Sequence, residues 1–160
     1  MMTKKSSHLD DQGNIQMVDV SHKNDTTRIA RACATLMAKP ETIEAIWSQA
    51  LPKGDALTTA KIAGIQAAKQ TAQLIPMCHT LHLNKVDVQF ERASNGIVIQ
   101  SEIKLSGKTG AEMEALVAVS IAGLTLYDMA KSVQKDMVLT QTQLLYKEGG
   151  KSGIYQGPSS

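Results

Sequence analysis

The chain has 160 residues, 42% apolar and 20% charged, with a formal net charge of +2; this suits one domain with a real core and excludes disorder along most of the length. So small a net charge provides no broad basic surface for nucleic acid or an anionic membrane, so any anion site must be local. Aromatic residues make up only 3% while methionines number eight, so packing must rest on Ala, Ile, Leu, Val and Met.

Residues 1–16 are polar and are expected to form a mobile tail ahead of a single domain over 17–151, with a second tail at 152–160. The opening "MMTKKSSHLD" has no apolar stretch behind its lysines, and no run of about 18 apolar residues follows anywhere, so the expected location is the cytoplasm, with no membrane partner. The segment "TRIARACATLMA" at 27–38 is rich in helix-favouring alanine but also fits period two. Arg28, Ala30, Ala32, Ala34 and Leu36 alternate there with Ile29, Arg31, Cys33, Thr35 and Met37. We read it as a strand because the element order requires one there.

A short helix is expected at about 41–48, after Pro40. "TTAKIAGIQAAKQTAQLI" at 58–75 then spaces apolar residues at helical intervals, with Thr58 as its cap and Pro76 as its stop. "SNG" at 94–96 is the clearest turn signal, flanked by "KVDVQFE" and "IVIQSEIKL". Val86, Val88 and Phe90 alternate with Asp87, Gln89 and Glu91, the period of a half-buried hairpin strand. Thr109 is expected to open a long helix over about 110–134, with Gly123 a candidate bend, and "DMVLTQTQLLYK" returns to a strand pattern ending at Gly149. The order β-α-β-β-α-β predicts an α+β ferredoxin-like plait, an antiparallel sheet with its helices on one face.

Two stretches resemble halves of a nucleotide-binding P-loop. "SGKTG" at 106–110 would need a glycine at Glu102, and "GGKSG" at 149–153 would need one at Leu145, so neither can wrap phosphates in that manner. Lysine and glycine also meet in "PKGD" at 52–55 and near Gly123 in "MAKSVQK". Glycine lets the backbone approach a ligand and lysine supplies a point charge, so several such turns at element junctions point to a polyphosphate; one alone is usually a solvated lysine.

"YDMAKSVQK" places Asp128, Lys131 and Lys135 at i, i+3 and i+7 of the helix, on one face. They form either a solvated ion-pair stripe or an acid/base pair. Glu112 and Glu114 point about 200° apart around the axis and should not share a pocket. Glu114 and Asp128 share a face to within about 40° but stand about 21 Å apart along an unbroken helix. If both act on one small ligand, the site must combine neighbouring subunits or the helix must break. "IPMCHTLHL" offers Cys78, His79 and His82 near one another. A proton-carrying or phosphate-binding His79 fits better than a metal, since no second ligand cluster accompanies them. Cys33 and Cys78 are too few for a disulfide scaffold and are read as free thiols in small apolar positions.

Taken in order, "VDVSHK", "KGDALTTAKIAGIQAAK", "LIPMCHTL", "GKTGAEMEAL", "YDMAKSVQKDM" and "GGKSG" resemble the cyclic pyranopterin monophosphate synthase family, the C accessory proteins of molybdenum cofactor biosynthesis, from about residue 13 to 155. The resemblance implies a ferredoxin-like homohexamer, a trimer of dimers with active sites at the dimer interface. It implies a lyase that converts 3′,8-cyclo-7,8-dihydro-GTP into cyclic pyranopterin monophosphate and pyrophosphate. It places the catalytic groups on Asp128, Lys131 and Lys53 and substrate binding on Met77, Cys78, His79, Glu112, Met113 and Glu114. Arg28, Lys147 and Lys151 would hold the triphosphate, from a neighbouring subunit. No cofactor or protein-bound metal is implied, although magnesium can accompany the triphosphate. A different class, a non-catalytic nucleotide- or RNA-binding plait, would stack bases on paired aromatics of the central strands, where only Phe90 is present.

Overall fold

A computed structural model describes residues 8–158. Its elements run β1 (Thr26–Met37), α1 (Pro40–Trp47), α2 (Ala56–Lys69), α3 (Thr71–Leu74), β2 (Lys85–Ala93), β3 (Gly96–Gly107), α4 (Glu112–Ala130), β4 (Val138–Glu148) and β5 (Tyr155–Gln156). Every strand pair is antiparallel and the order across the sheet is β2-β3-β1-β4-β5. The first four strands with α2 and α4 form the expected plait, and the helices lie on one side of the sheet.

The strand reading of 27–38 holds, and the register explains why alanine is used there. Ala30, Ala32, Ala34 and Leu36 point toward the helices and are fully buried, as are Ile97, Ile99 and Ile103 of β3. Small side chains on the central strand let α4 lie close above it. On the hairpin, Val88 is fully buried while Gln89 is exposed, so the period-two pattern of β2 carries through to the fold. The turn at 94–96 joins β2 to β3, and a Cβ on Gly96 would come within 2.7 Å of the Leu36 carbonyl oxygen.

Two glycines record how tightly the layers meet. A Cβ on Gly64 of α2 would stand 2.9 Å from the Ala118 carbonyl oxygen of α4, and one on Gly123 would stand 2.4 Å from Leu139 Cδ1. Gly123 therefore serves packing and does not bend the helix: α4 is continuous from Glu112 to Ala130. It is the one helix among the described residues long and apolar enough to cross a membrane, yet it packs between α2 and the sheet as a core helix.

Several boundaries differ from the sequence reading, each for a local reason. The cap of α2 is Asp55, whose carboxylate accepts from the Thr58 N–H at 3.0 Å and from its hydroxyl at 2.6 Å; Thr58 supports the cap from inside the first turn. The expected single helix to residue 75 breaks at Gln70 into α2 and α3, short of Pro76. The long helix starts at Glu112, capped by Ala111, and not at Thr109; it stops at Ala130, where the Val133 and Gln134 N–H groups close on the Ala130 carbonyl. Lys135 consequently leaves the helical face shared by Asp128 and Lys131. Of the tails expected at 1–16 and 152–160, residues 1–7 and 159–160 lie outside the described residues. Within the rest, Leu9 bridges Ile15 and β5 pairs with Tyr146 and Lys147.

Gly123→Ala is expected to lower stability by about 1–3 kcal/mol, because the added methyl must displace Leu139 and Ile99. Urea unfolding of the two proteins measures it, and an unchanged midpoint would mean that α4 can move away from β4 freely.

Candidate active site

The residues singled out in the sequence gather at the two ends of α4. At its C-terminal end, the loop before α2 brings Lys53 against Asp128. Lys53 Nζ donates to Asp128 Oδ2 at 2.7 Å and to the Asp128 carbonyl at 2.9 Å, while Lys131 Nζ reaches Asp128 Oδ1 at 2.7 Å. The Lys131 and Lys53 ammonium groups hold the Asp128 carboxyl down to about 2, and the same contact raises Lys131. All three side chains stay largely exposed. At neutral pH this is an ionised carboxylate flanked by two cations on an open surface, suited to orienting lysines toward an incoming anion.

At the N-terminal end of α4, both glycine turns face one cavity of about 700 Å³. Lys108, Thr109 and Gly110 of one turn and Gly150, Lys151 and Ser152 of the other line it together with Arg28, Lys147, His22 and Lys23. The two near misses to a P-loop are thus opposite walls of a single cation-lined hollow. Arg28, only 9% exposed, ties them together: its Nε donates to the Gly107 carbonyl at 3.2 Å and an Nη to the Lys108 carbonyl at 3.1 Å. Gly149 and Gly150 adopt φ of 101° and 75°, and a Cβ on Gly150 would collide with the Arg28 guanidinium. Glycine at 150 is required twice over, by the backbone angle and by the approach of that cation.

A second cavity of about 400 Å³ adjoins the first, and Lys23, Thr109, Gly110 and Glu112 line both. Its other walls include Met77, Cys78, His79, Met113 and Glu114. Here the expectation that Glu112 and Glu114 avoid a common pocket is corrected. Glu112 is the first residue of α4, so it reaches the groove from the helix start while Glu114 enters from its side. Glu112 pairs with Lys147 at 3.0 Å, and Lys147 also donates to the Ser152 hydroxyl at 2.8 Å. Glu114 is 4% exposed, and burial, with help from the neighbouring Glu112 charge, raises its carboxyl to about 7. Burial and the same acid push the Cys78 thiol up, so Cys78 offers a neutral thiol and not a nucleophile.

His79 donates from Nε2 to the Val18 carbonyl at 2.8 Å, whereas His82 is exposed and lines neither cavity. Among the described residues no three His, Cys, Asp or Glu side chains converge in a metal-binding arrangement. The remaining conspicuous charge cluster lies on the opposite face of the sheet, where Arg31, Lys85 and Lys104 surround Glu102 at 2.8, 2.9 and 3.3 Å and hold it at about 2. Its perturbed acid belongs to a cross-strand ion network.

Every site residue expected from the sequence therefore lies in one of two places. Lys53, Asp128 and Lys131 form one cluster, and Arg28, Met77, Cys78, His79, Glu112, Met113, Glu114, Lys147 and Lys151 line the paired cavities. Lys23, His22 and Lys108 were not assigned individually, although "VDVSHK" and "SGKTG" had already marked their segments.

The chain matches the MoaC family model over residues 17–150. A cyclic pyranopterin monophosphate synthase of Oleidesulfovibrio alaskensis is 52% identical over 157 residues, 97% of this chain and 99% of the relative. A protein of the same name from Desulfatibacillum aliphaticivorans is 53% identical over 151 residues, 93% of this chain and 95% of the relative.

Glu114 generates a pH prediction. Its folded-state pKa of about 7 lies above the ordinary glutamate value of 4.5, so its protonated form favours the fold below pH 4.5 and that contribution is lost as pH rises toward 7, by about 3 kcal/mol at most. Glu114→Gln should flatten the fall in stability between those pH values. Equal slopes for the two proteins in urea titrations at pH 4.5 to 8 would show that Glu114 titrates as an ordinary acid.

Proposed function

This chain belongs to the MoaC family, and from that premise we propose that it is a phosphorus-oxygen lyase converting 3′,8-cyclo-7,8-dihydro-GTP into cyclic pyranopterin monophosphate with release of pyrophosphate, in molybdenum cofactor biosynthesis. The observation that carries this reading is the division of labour along α4: a cation-lined cavity and a half-apolar one at one end, and a lysine-aspartate-lysine cluster at the other. The first cavity suits a triphosphate and the second a purine-derived ring.

The reaction asks two things of the protein. A sugar-derived hydroxyl attacks the α-phosphorus, a P–O bond forms, the bond to the β-phosphate oxygen breaks, and pyrophosphate leaves with its negative charge neutralised. Lys53 and Lys131 supply that neutralisation beside the α-phosphate, while Arg28, Lys147 and Lys151 hold the leaving phosphates. Because Asp128 keeps Lys131 protonated, Lys131 serves as an acid and electrostatic partner, with Asp128 orienting both lysines. Opening and reclosing the ring moves protons at nitrogen and carbon, and Glu114, titrating near 7, can both accept and return one at neutral pH. The chemistry needs no redox cofactor. Magnesium would travel with the triphosphate. The substrate, a soluble nucleotide derivative, suits a cytoplasmic enzyme.

The two halves of the site stand about 21 Å apart along α4, beyond the reach of one small substrate. Between them α4 carries an accessible stripe of Met113, Val117, Ser120, Ile121 and Leu124, with Met113 and Leu124 37% and 53% exposed. Antiparallel packing of this stripe on a second copy would bring Asp128 of each protomer to the Glu114 cavity of the other, the isologous contact expected of a dimer. We take this pair as the unit of a trimer of dimers.

Turnover of the cyclised dihydro-GTP, followed by pyrophosphate release, tests the activity. Lys53→Ala and Asp128→Ala should each lower it by about 100-fold or more, and near-normal turnover in either would remove that residue from the mechanism. Shared sites make a sharper prediction. Asp128→Ala and Glu114→Ala chains, each inactive alone, should recover activity when refolded together, at about one quarter of the sites if pairing is random. No recovery from correctly assembled mixtures would mean that each site belongs to one chain.

A further inference from the structure

The segment 17–25 carries no regular secondary structure, yet it forms part of the wall of both cavities. Val18 and Val20 line the smaller, His22 lines the larger, and Lys23 lines both. Two side chains fasten it from outside: His79 donates to the Val18 carbonyl at 2.8 Å and Lys108 Nζ donates to the Ser21 carbonyl at 3.0 Å. Its shape is set from within. The Asp19 carboxylate accepts from the Ser21 N–H at 2.8 Å and from the Ser21 hydroxyl at 2.5 Å, and the Lys23 N–H closes a further turn on the Val20 carbonyl at 3.0 Å.

Asp19 itself is exposed and lines neither cavity. Its charge is also of the wrong sign for an anion site. What it does provide is an Asx turn, a local hydrogen-bonded bend that aims the residues after it.

We propose that Asp19 is a positioning residue: by folding residues 19–21 into a turn fastened by His79 and Lys108, it places Lys23 at the junction of the two cavities, where the ammonium can meet the phosphate chain next to the ring. The inference rests on the triphosphate reading of the larger cavity. It adds a third side to a groove whose other walls are the two glycine turns and the start of α4. The turn is stiffest when the acid is ionised, and the Ser21 hydrogen bonds lower the Asp19 carboxyl below its usual range, so the arrangement stands throughout the neutral range.

Charge and geometry predict opposite signs for one substitution, and this makes the test decisive. Removing an acid near a cationic cavity should tighten anion binding by simple electrostatics. If Asp19 acts through the turn, Asp19→Ala should instead weaken it. Calorimetric titration of the intact protein with inorganic tripolyphosphate is expected to show a Kd raised about threefold or more for Asp19→Ala, with the thermal midpoint unchanged and faster amide exchange confined to residues 18–24. Asp19→Asn, which keeps the accepting oxygen without the charge, is expected to bind at least as tightly as wild type does. Binding by Asp19→Ala as tight as wild type or tighter overturns the proposal, as does equal weakening in Asp19→Asn. In turnover, Asp19→Ala should raise KM and leave kcat in place. A wild type that fails to turn over the cyclised nucleotide would refute the enzymatic reading, while the tripolyphosphate comparison would still decide the role of Asp19.

Discussion

The close approach of α4 to both α2 and the sheet is the constraint on which the rest of the structure depends. It is achieved with alanine and glycine: Ala60, Gly64 and Ala68 on α2, Ala115, Ala118 and Ala122 on α4, and the alanines of β1 beneath them. The low aromatic content of the chain is the compositional side of this geometry. Bulky rings would push the layers apart, and buried area is instead accumulated from many small contacts at short range. The helix clamped in this way runs unbroken from Glu112 to Ala130, with the paired cavities at its start and the exposed Asp128 cluster at its end.

The two ends have been given different electrostatic environments. Around Asp128 the charges are exposed and mutually compensating, so the carboxylate remains ionised and Lys131 is held protonated. Glu114 is buried and lies near the Glu112 charge, so desolvation wins and its proton is held to neutral pH. Two carboxylates on one helix thereby titrate in opposite directions, Asp128 below and Glu114 above the usual carboxyl range. Glu102 carries an equally displaced titration on the far face of the sheet, but in the opposite direction, because Lys85, Arg31 and Lys104 bind its charged form.

Arg28 joins fold to site. As a β1 residue it belongs to the sheet register opposite Leu105, yet its guanidinium reaches the carbonyls of the next turn and abuts Gly150. Two of its five N–H donors are spent on backbone carbonyls, and the residue also lines the larger cavity. The residue shapes the larger cavity as well as charging it, and a lysine with a single ammonium could not do both.

Much of this was legible in the sequence. Period-two alternation located the hairpin, helical spacing of apolar residues located α2, and the six ordered motifs marked most of the segments that line the groove and the whole of the acid-lysine cluster, while Arg28 and Lys147 lie outside them. Spacing along α4 also gave the separation of Glu114 from Asp128, because helical rise is a local property that tertiary packing leaves unchanged. Other features depended on neighbours distant in the chain. The role of Gly123 is one of these, settled by Leu139 and Ile99 packing against it. The convergence of "SGKTG" and "GGKSG" on one cavity, with Lys23 between, follows from β1 pairing with β3 on one side and β4 on the other. So does the burial that raises Glu114, since a carboxyl's desolvation depends on surrounding atoms that no spacing along the chain records. Local chemistry and helical rise fix which groups are present and how far apart one helix holds them, whereas strand pairing and burial set which of them share a surface, because these join residues that local rules cannot connect.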